Sequence, residues 1–134
     1  MTQMSKGAQK ISQILQRAKY RFQTEYEFDD LRGKKGVHLR YDFMVWPPYG
    51  QPFLIEFDGE AHFKQVKFFQ KNTSTFKAAK ERDRIKNKYA LMNKIPLYRI
   101  PYWKIDSINT IEDIVRNYNF LVKNKYHNDM LKAP

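Results

Sequence analysis

Ile11, Ile14, Leu15 and Ala18 recur three and four positions apart, the spacing that lines one face of an α-helix. The pattern predicts a first helix over about 8–21. TEYEFDD, 24–30, alternates polar and aromatic residues and reads as a strand. Gly33 and Gly36 bracket two lysines as a turn, and VHLRYDFMVW, 37–46, is rich in strand formers. PPYGQP, 47–52, excludes regular structure and connects to a third strand, PFLIEFDG, 52–59, which ends at Asp58-Gly59. Ser74 is the expected N-cap of a helix of about five turns, STFKAAKERDRIKNKYALMNK. Its coreward residues are expected to be Phe76, Ala79, Ile85 and Met92.

Ile95-Pro96 breaks that helix, and LYRIPYW, 97–103, follows as a fourth strand. Thr110 with Asp113 forms a capping-box pattern for a last helix through about Val122, its apolar face being Ile111, Ile114, Val115, Tyr118 and Val122. The first six residues and the polar tail from about 126 are expected to be loose. The order α-β-β-β-α-β plus a C-terminal helix predicts a single-domain α/β protein, its core spanning about 8–122, with a central mixed sheet flanked by helices.

Composition is consistent with that picture and adds a partner. A chain of 134 residues with 42% hydrophobic content supports one core, burying roughly 70% of the unfolded surface. It has no apolar run near the roughly 18 residues of a membrane span, and its N-terminus lacks the apolar stretch of a signal peptide. With no cysteine, disulfides and thiolate zinc sites are excluded. The expectation is a cytoplasmic protein without a membrane partner. Twenty-five Lys and Arg against fourteen Asp and Glu give a net charge of +11. Residues 1–24 and 61–80 carry no acid, while eight of the fourteen acids fall between 25 and 60. Basic flanks around an acidic middle fit a polyanion-binding surface with a cation-binding notch, and nucleic acid is the expected partner.

The acids concentrate in LIEFDGEAHF, 54–63, where Glu56, Asp58, Glu60 and His62 occupy every second position. Strand residues two apart share a face, so Glu56 and Asp58 project together while Ile55 and Phe57 pack behind them. Asp42, inside the apolar YDFMVW, comes opposite or diagonal to Glu56 across the turn. Three carboxylates crowded among apolar residues repel one another unless a cation joins them. Their hard oxygens suit Mg²⁺ or Mn²⁺, which polarises a phosphoryl oxygen and lowers the pKa of water. Asp42, Glu56 and Asp58 are therefore the expected cation ligands. Glu60 falls beyond Gly59, where strand alternation ends, and is left out. His62, just past the strand, is the candidate for proton transfer. On the first strand Glu25, rather than Glu27, is the acid expected to assist. On the long helix Lys86 or Asp83 enters the site, to stabilise phosphoryl charge or to orient His62; otherwise the two form a surface pair. His38 and His127 have no acidic company and read as surface residues.

With these residues in place, LRYDFMV, LIEFDGEAHF, ERDRIKNKYA and IPLYRIPYW resemble the PD-(D/E)XK, restriction-endonuclease-like superfamily. The similarity is strongest to its branch of small phage and bacterial nucleases, near the very-short-patch repair and phage EDxHD homing endonucleases. It covers about Glu25 to Trp103. The resemblance implies an αβββαβ core and metal-dependent hydrolysis of DNA phosphodiesters. It implies cation binding at Asp42 and Glu56, support from Asp58 and Glu25, and proton transfer at His62. Two positions depart from the family pattern. The signature lysine two residues after the second acid is Asp58 here, which moves its charge duty to His62 or Lys86. Relatives often carry glutamine before the histidine, where this chain has Ala61. A DNA-binding accessory protein without turnover is accordingly the alternative.

FKQVKFFQKNTSTFKAAK, 63–80, interleaves phenylalanines with Lys64, Lys67, Lys71, Lys77 and Lys80. The lysines are expected on phosphates, and Phe68 and Phe69 either stack on bases or join the core. One active site makes one nick; a double-strand break requires a homodimer or two encounters.

Overall fold

In a computed structural model of the chain, the described residues are 4–59 and 74–119. Helix α1, Lys6–Arg17, starts where the Ser5 hydroxyl accepts the Ala8 N–H at 3.2 Å. It ends four residues before the expected 21. Lys19 turns into the left-handed region (φ 61°), and the Lys19 and Tyr20 N–H groups close back on the Gln16 and Leu15 carbonyls. That pair of bonds is a Schellman stop.

Four strands follow: β1 Arg21–Arg32, β2 His38–Trp46, β3 Phe53–Asp58 and β4 Leu97–Pro101. They form one mixed sheet in the order β1-β2-β3-β4. The β1/β2 and β2/β3 pairs are antiparallel, and β3/β4 is parallel. β1 outruns the expected 24–30 because its pairing with β2 extends from Arg21↔Trp46 to Arg32↔His38. Helix α2, Ser74–Met92, lies in the crossover between β3 and β4. A 3-10 helix, Tyr102–Ser107, takes over where the fourth strand was expected to run on to Trp103. Helix α3, Ile111–Asn117, has the expected Thr110/Asp113 capping box. It stops well before Val122, because the Tyr118 carbonyl accepts the Arg99 N–H of β4 at 3.1 Å and Asn119 bridges Tyr98.

Two apolar cores lie on opposite faces of the sheet. On one face, Ile11, Ile14 and Leu15 of α1 and Ile111 and Ile114 of α3 cover Phe43, Val45, Ile55 and Ile100. On the other, α2 contributes buried Ala90 and partly buried Ile85 and Tyr89 over Leu39, Tyr41, Leu54 and Leu97. Met92, expected to face the core, is 70% exposed; two residues beyond Ala90, it points about 200° away around the helix. Ile85 and Ala79 are part-buried, while the Phe76 side chain and Val122 lie outside the described parts. No helix among the described residues is long and apolar enough to cross a membrane.

The faces are not continuous along β1 and β2. Phe22 packs on the α1 side but Tyr26 and Phe28 on the α2 side; Phe43 packs on the α1 side but Tyr41 on the α2 side. Residues an even number apart should share a face, so both strands slip by one residue between these positions. Their pairing is unchanged across the slip, Thr24↔Phe43 being followed by Tyr26↔Tyr41. The rung between holds Glu25, at φ 51°, and Asp42.

Candidate active site

At this rung the β2/β3 ladder gives way to side chains. Its last backbone partners are Phe43 and Ile55. Beyond them the Asp42 N–H donates to Glu56 Oε2 at 3.0 Å, and the Phe57 N–H donates to Asp42 Oδ2 at 2.7 Å. Each carboxylate takes the place of a backbone carbonyl on the opposite strand, through a charge-assisted bond. The two acids are thereby fixed side by side, Glu56 only 4% exposed and Asp42 half-buried. Burial pushes the Asp42 carboxyl above its usual range and Asp58 adds to the rise, against the Phe57 N–H and the Lys86 and Arg99 charges, which lower it.

Helix α2 brings a cation to the pair. Lys86 places its Nζ against Glu56 Oε1 and 5.2 Å from the centre of the Tyr41 ring. The Tyr41 hydroxyl donates to the Lys86 carbonyl at 2.7 Å, tying the helix backbone to β2. Burial, with Arg99 next, brings the Lys86 pKa down to about 8, while Asp42 and Glu25 act to raise it.

Beneath Lys86 lies Arg99 of β4, 1% exposed. Its Nη1 donates to Asp58 Oδ1 at 2.9 Å, its Nε to Asn87 Oδ1 at 2.8 Å, and its Nη2 reaches Asp83 Oδ1 at 3.5 Å. Asp58, expected beside Asp42 as a cation ligand, is buried and held to this guanidinium. Asp83 and Lys86, read from sequence as alternatives, both turn inward: Asp83 to Arg99 and Lys86 to Glu56. Arg99 and Asn87 did not emerge from the sequence. The available signal was a single charged residue within the apolar LYRIP, the same sign that picked out Asp42.

Glu25 sits on the same rung as Asp42, on the neighbouring strand β1, close enough to act on Lys86 electrostatically. Its side chain is 66% exposed and lies 3.9 Å from Arg40, which also holds Glu27 at 2.7 Å. His38, expected on the surface, is half-buried with Nδ1 3.7 Å from Glu27. Lys77 and Lys80 are exposed on α2. Ala61, His62, Lys64, Lys67, Phe68, Phe69 and Lys71 lie outside the described residues.

Among the described residues no three His, Cys, Asp or Glu side chains converge as a ready-made metal cage. Mg²⁺ does not require one, since it is commonly held by one or two carboxylates together with water and substrate phosphate. Asp42 and Glu56 fit that mode: two hard-oxygen donors on adjacent strands, each anchored by a backbone N–H. Among the described residues, Lys86 and Arg99 are the cations seen against the carboxylates of this cluster, Lys86 on Glu56 and Arg99 on Asp58 and Asp83. No family model, curated protein or solved structure matches the chain.

Proposed function

We propose that this chain is a Mg²⁺- or Mn²⁺-dependent DNA endonuclease with a restriction-endonuclease-like core, working in the cytoplasm of a bacterial or phage-infected cell. The observation that carries the reading is the Asp42–Glu56 pair at the break in the β2/β3 ladder, with Lys86 delivered to it from α2. A basic chain that gathers two acids around one lysine is suited to a negatively charged phosphodiester. The resemblance noted in the sequence points the same way.

In this reading Asp42 and Glu56 hold the cation, which supplies Lewis-acid polarisation of the phosphoryl group and a water of lowered pKa. The backbone N–H bonds to both carboxylates keep them oriented without reorganisation. Lys86, already among the acids, offsets charge building up on the phosphoryl oxygens. Asp58 serves by anchoring Arg99, and Glu25 assists from the exposed rung. His62 transfers the proton. Lys64, Lys67, Lys71, Lys77 and Lys80 contact phosphates, and Phe68 and Phe69 stack on bases.

The test is incubation of supercoiled and branched DNA with Mg²⁺ or Mn²⁺, beside an Asp42→Ala control. Nicking by the native chain and a fall of about 10²-fold or more in the variant are expected. Equal cleavage by both proteins overturns the site. A double-strand break as the first product would indicate a homodimer.

One observation favours a second reading, a DNA-binding accessory protein without turnover. Lys86 and Arg99 already partner Glu56 and Asp58 inside the fold, so part of the acidic charge is compensated without a cation. That reading expects salt-sensitive DNA binding, no nicking with either metal, and no cleavage gained by Ala61→Gln.

A further inference from the structure

Among its described side chains, from Lys77 on, helix α2 carries a small apolar face for a helix that supplies a site residue. Ala90 is its buried apolar anchor; Ile85 and Tyr89 are part-buried, and Leu91 and Met92 are exposed. By contrast α1 buries Ile11, Ile14 and Leu15. An apolar stripe fixes how a helix is rotated about its own axis, and the described side chains of α2 provide little of one. Its rotation decides whether Lys86 reaches Glu56.

Besides the Tyr41 hydroxyl on the Lys86 carbonyl, Arg99 provides a side-chain constraint on that rotation. Its guanidinium spans from Asp58 on β3 to Asp83 and Asn87 on α2. Asp83 and Asn87 are one turn apart and flank Lys86 in sequence, so all three lie on the inward side of the helix. A planar fork with donors in fixed directions can hold two successive turns at once, which a point charge cannot. The guanidinium is almost wholly buried, where breaking a hydrogen-bonded ion pair by removing one partner is costly.

We propose that Arg99 is a positioning residue: by clamping Asp83 and Asn87 to Asp58 it sets the rotation of α2 that points Lys86 at Glu56. At 1% exposure it has almost no surface to offer a cation or DNA. The clamp rests on the nuclease reading only for its consequence in catalysis; the placement of Lys86 can be measured without turnover.

The experiment uses the full chain in two variants. Arg99→Met removes the fork while keeping an apolar side chain of similar length. Asp83→Asn combined with Asn87→Ala leaves the buried Arg99–Asp58 pair intact and loosens its hold on α2. Lys86 acetylation by an N-hydroxysuccinimide ester is followed by mass spectrometry in EDTA, with exposed Lys88 as internal reference. In the native protein Lys86 labels slowly. In both variants its rate relative to Lys88 rises roughly tenfold as the buried amine gains access to reagent. Plasmid nicking by both variants falls about 10²-fold in turnover, as expected for a misplaced site group, with the KM for DNA unchanged within about twofold. Arg99→Lys, which keeps the charge but not the fork, does not restore either readout.

Slow Lys86 labelling in the double variant overturns the clamp, whatever happens to turnover. So does full rescue by Arg99→Lys. If Arg99→Met fails to fold, the double variant decides alone. Fast labelling in the variants of a protein whose native form never cleaves DNA supports the clamp and refutes the nuclease.

Discussion

The electrostatics of the site can be read through Lys86. Burial, reinforced by Arg99, brings its pKa from the 10.5 of a free lysine to about 8. At about 1.36 kcal/mol per pH unit, that drop of roughly 2.5 amounts to about 3 kcal/mol. Its sign follows from proton linkage. Below pH 8 the folded and unfolded chains both carry the proton, and the whole penalty weighs on the fold. Between pH 8 and 10.5 the unfolded chain keeps a proton that the folded chain has released, so stability rises with pH. The perturbation is Lys86→Met, which has no group to titrate there. Breaking a buried ion pair costs about 3–5 kcal/mol, so the variant is the less stable protein at every pH. The informative quantity is how that difference moves. Between pH 8 and about 9.5 the native protein should gain roughly 2 kcal/mol over the variant. Any protonation of Glu56 once its lysine is gone acts in the same direction. Urea unfolding in EDTA, followed by tryptophan fluorescence at about pH 7, 8, 8.75 and 9.5, gives the two curves. Tyr41 and Tyr89 also have raised pKa values; their titration lowers stability above pH 10 and, being common to both proteins, cancels. A difference that stays constant from pH 7 to 9.5, or one that shrinks, refutes the account of Lys86 as a buried, penalised ammonium.

Substitutions at two further positions probe the frame around the acids. A Cβ at Gly7 would stand 2.2 Å from the nearest atom of the Phe57 ring, so Gly7→Ala should destabilise the fold by about 1–3 kcal/mol. Because the Phe57 N–H is the Asp42 donor, it should also weaken Mg²⁺-dependent nicking; unfolding and cleavage assays on one preparation check both. At Glu25, φ 51° is disfavoured for a side chain, so Glu25→Gly should raise stability, or at worst leave it unchanged. Glu25→Val should lower it by about 1–3 kcal/mol. Urea midpoints in that reverse order would mean that the slip at the rung is not where the strain lies.

What sequence patterns reveal here depends on how far apart the deciding residues are. Strands β2 and β3 were legible because β-formers end at Pro and Gly turns, and Asp42 and Glu56 because acids inside apolar strands require partners. The slip was not legible. It exists only because β1 and β2 depart from alternation on the same rung, and neither strand alone signals it. The choice between Asp83 and Lys86 was likewise open, since it depends on the rotation of α2. For α1, where Ile11, Ile14 and Leu15 set the face, that rotation could be read directly. For α2 it is set by Arg99, twelve residues from Asn87 and forty-one from Asp58, through bonds that leave no periodic trace.

The same difference separates scaffold from site in this molecule. Apolar periodicity records contacts that any residue of suitable size can make, and it accounts for α1, α3 and most of the sheet. The Asp42–Glu56–Lys86 cluster is held by bonds to particular atoms: the N–H groups of Asp42 and Phe57, the Lys86 carbonyl, the fork of Arg99. Such bonds tolerate few substitutions, and local patterns register them only as exceptions. An arginine in LYRIP and an aspartate in YDFMVW are two exceptions of one kind, and they meet on the same side of the sheet. Places where a sequence departs from its own local rules tend to be functional or strained. Here the strained residue, Glu25, and the buried charges share one neighbourhood. A joint cause follows: the slip at Glu25 and Asp42 ends the β2/β3 ladder, and the end of that ladder frees two backbone N–H groups for carboxylates. Closing the slip would restore the ladder and displace both acids from the pair.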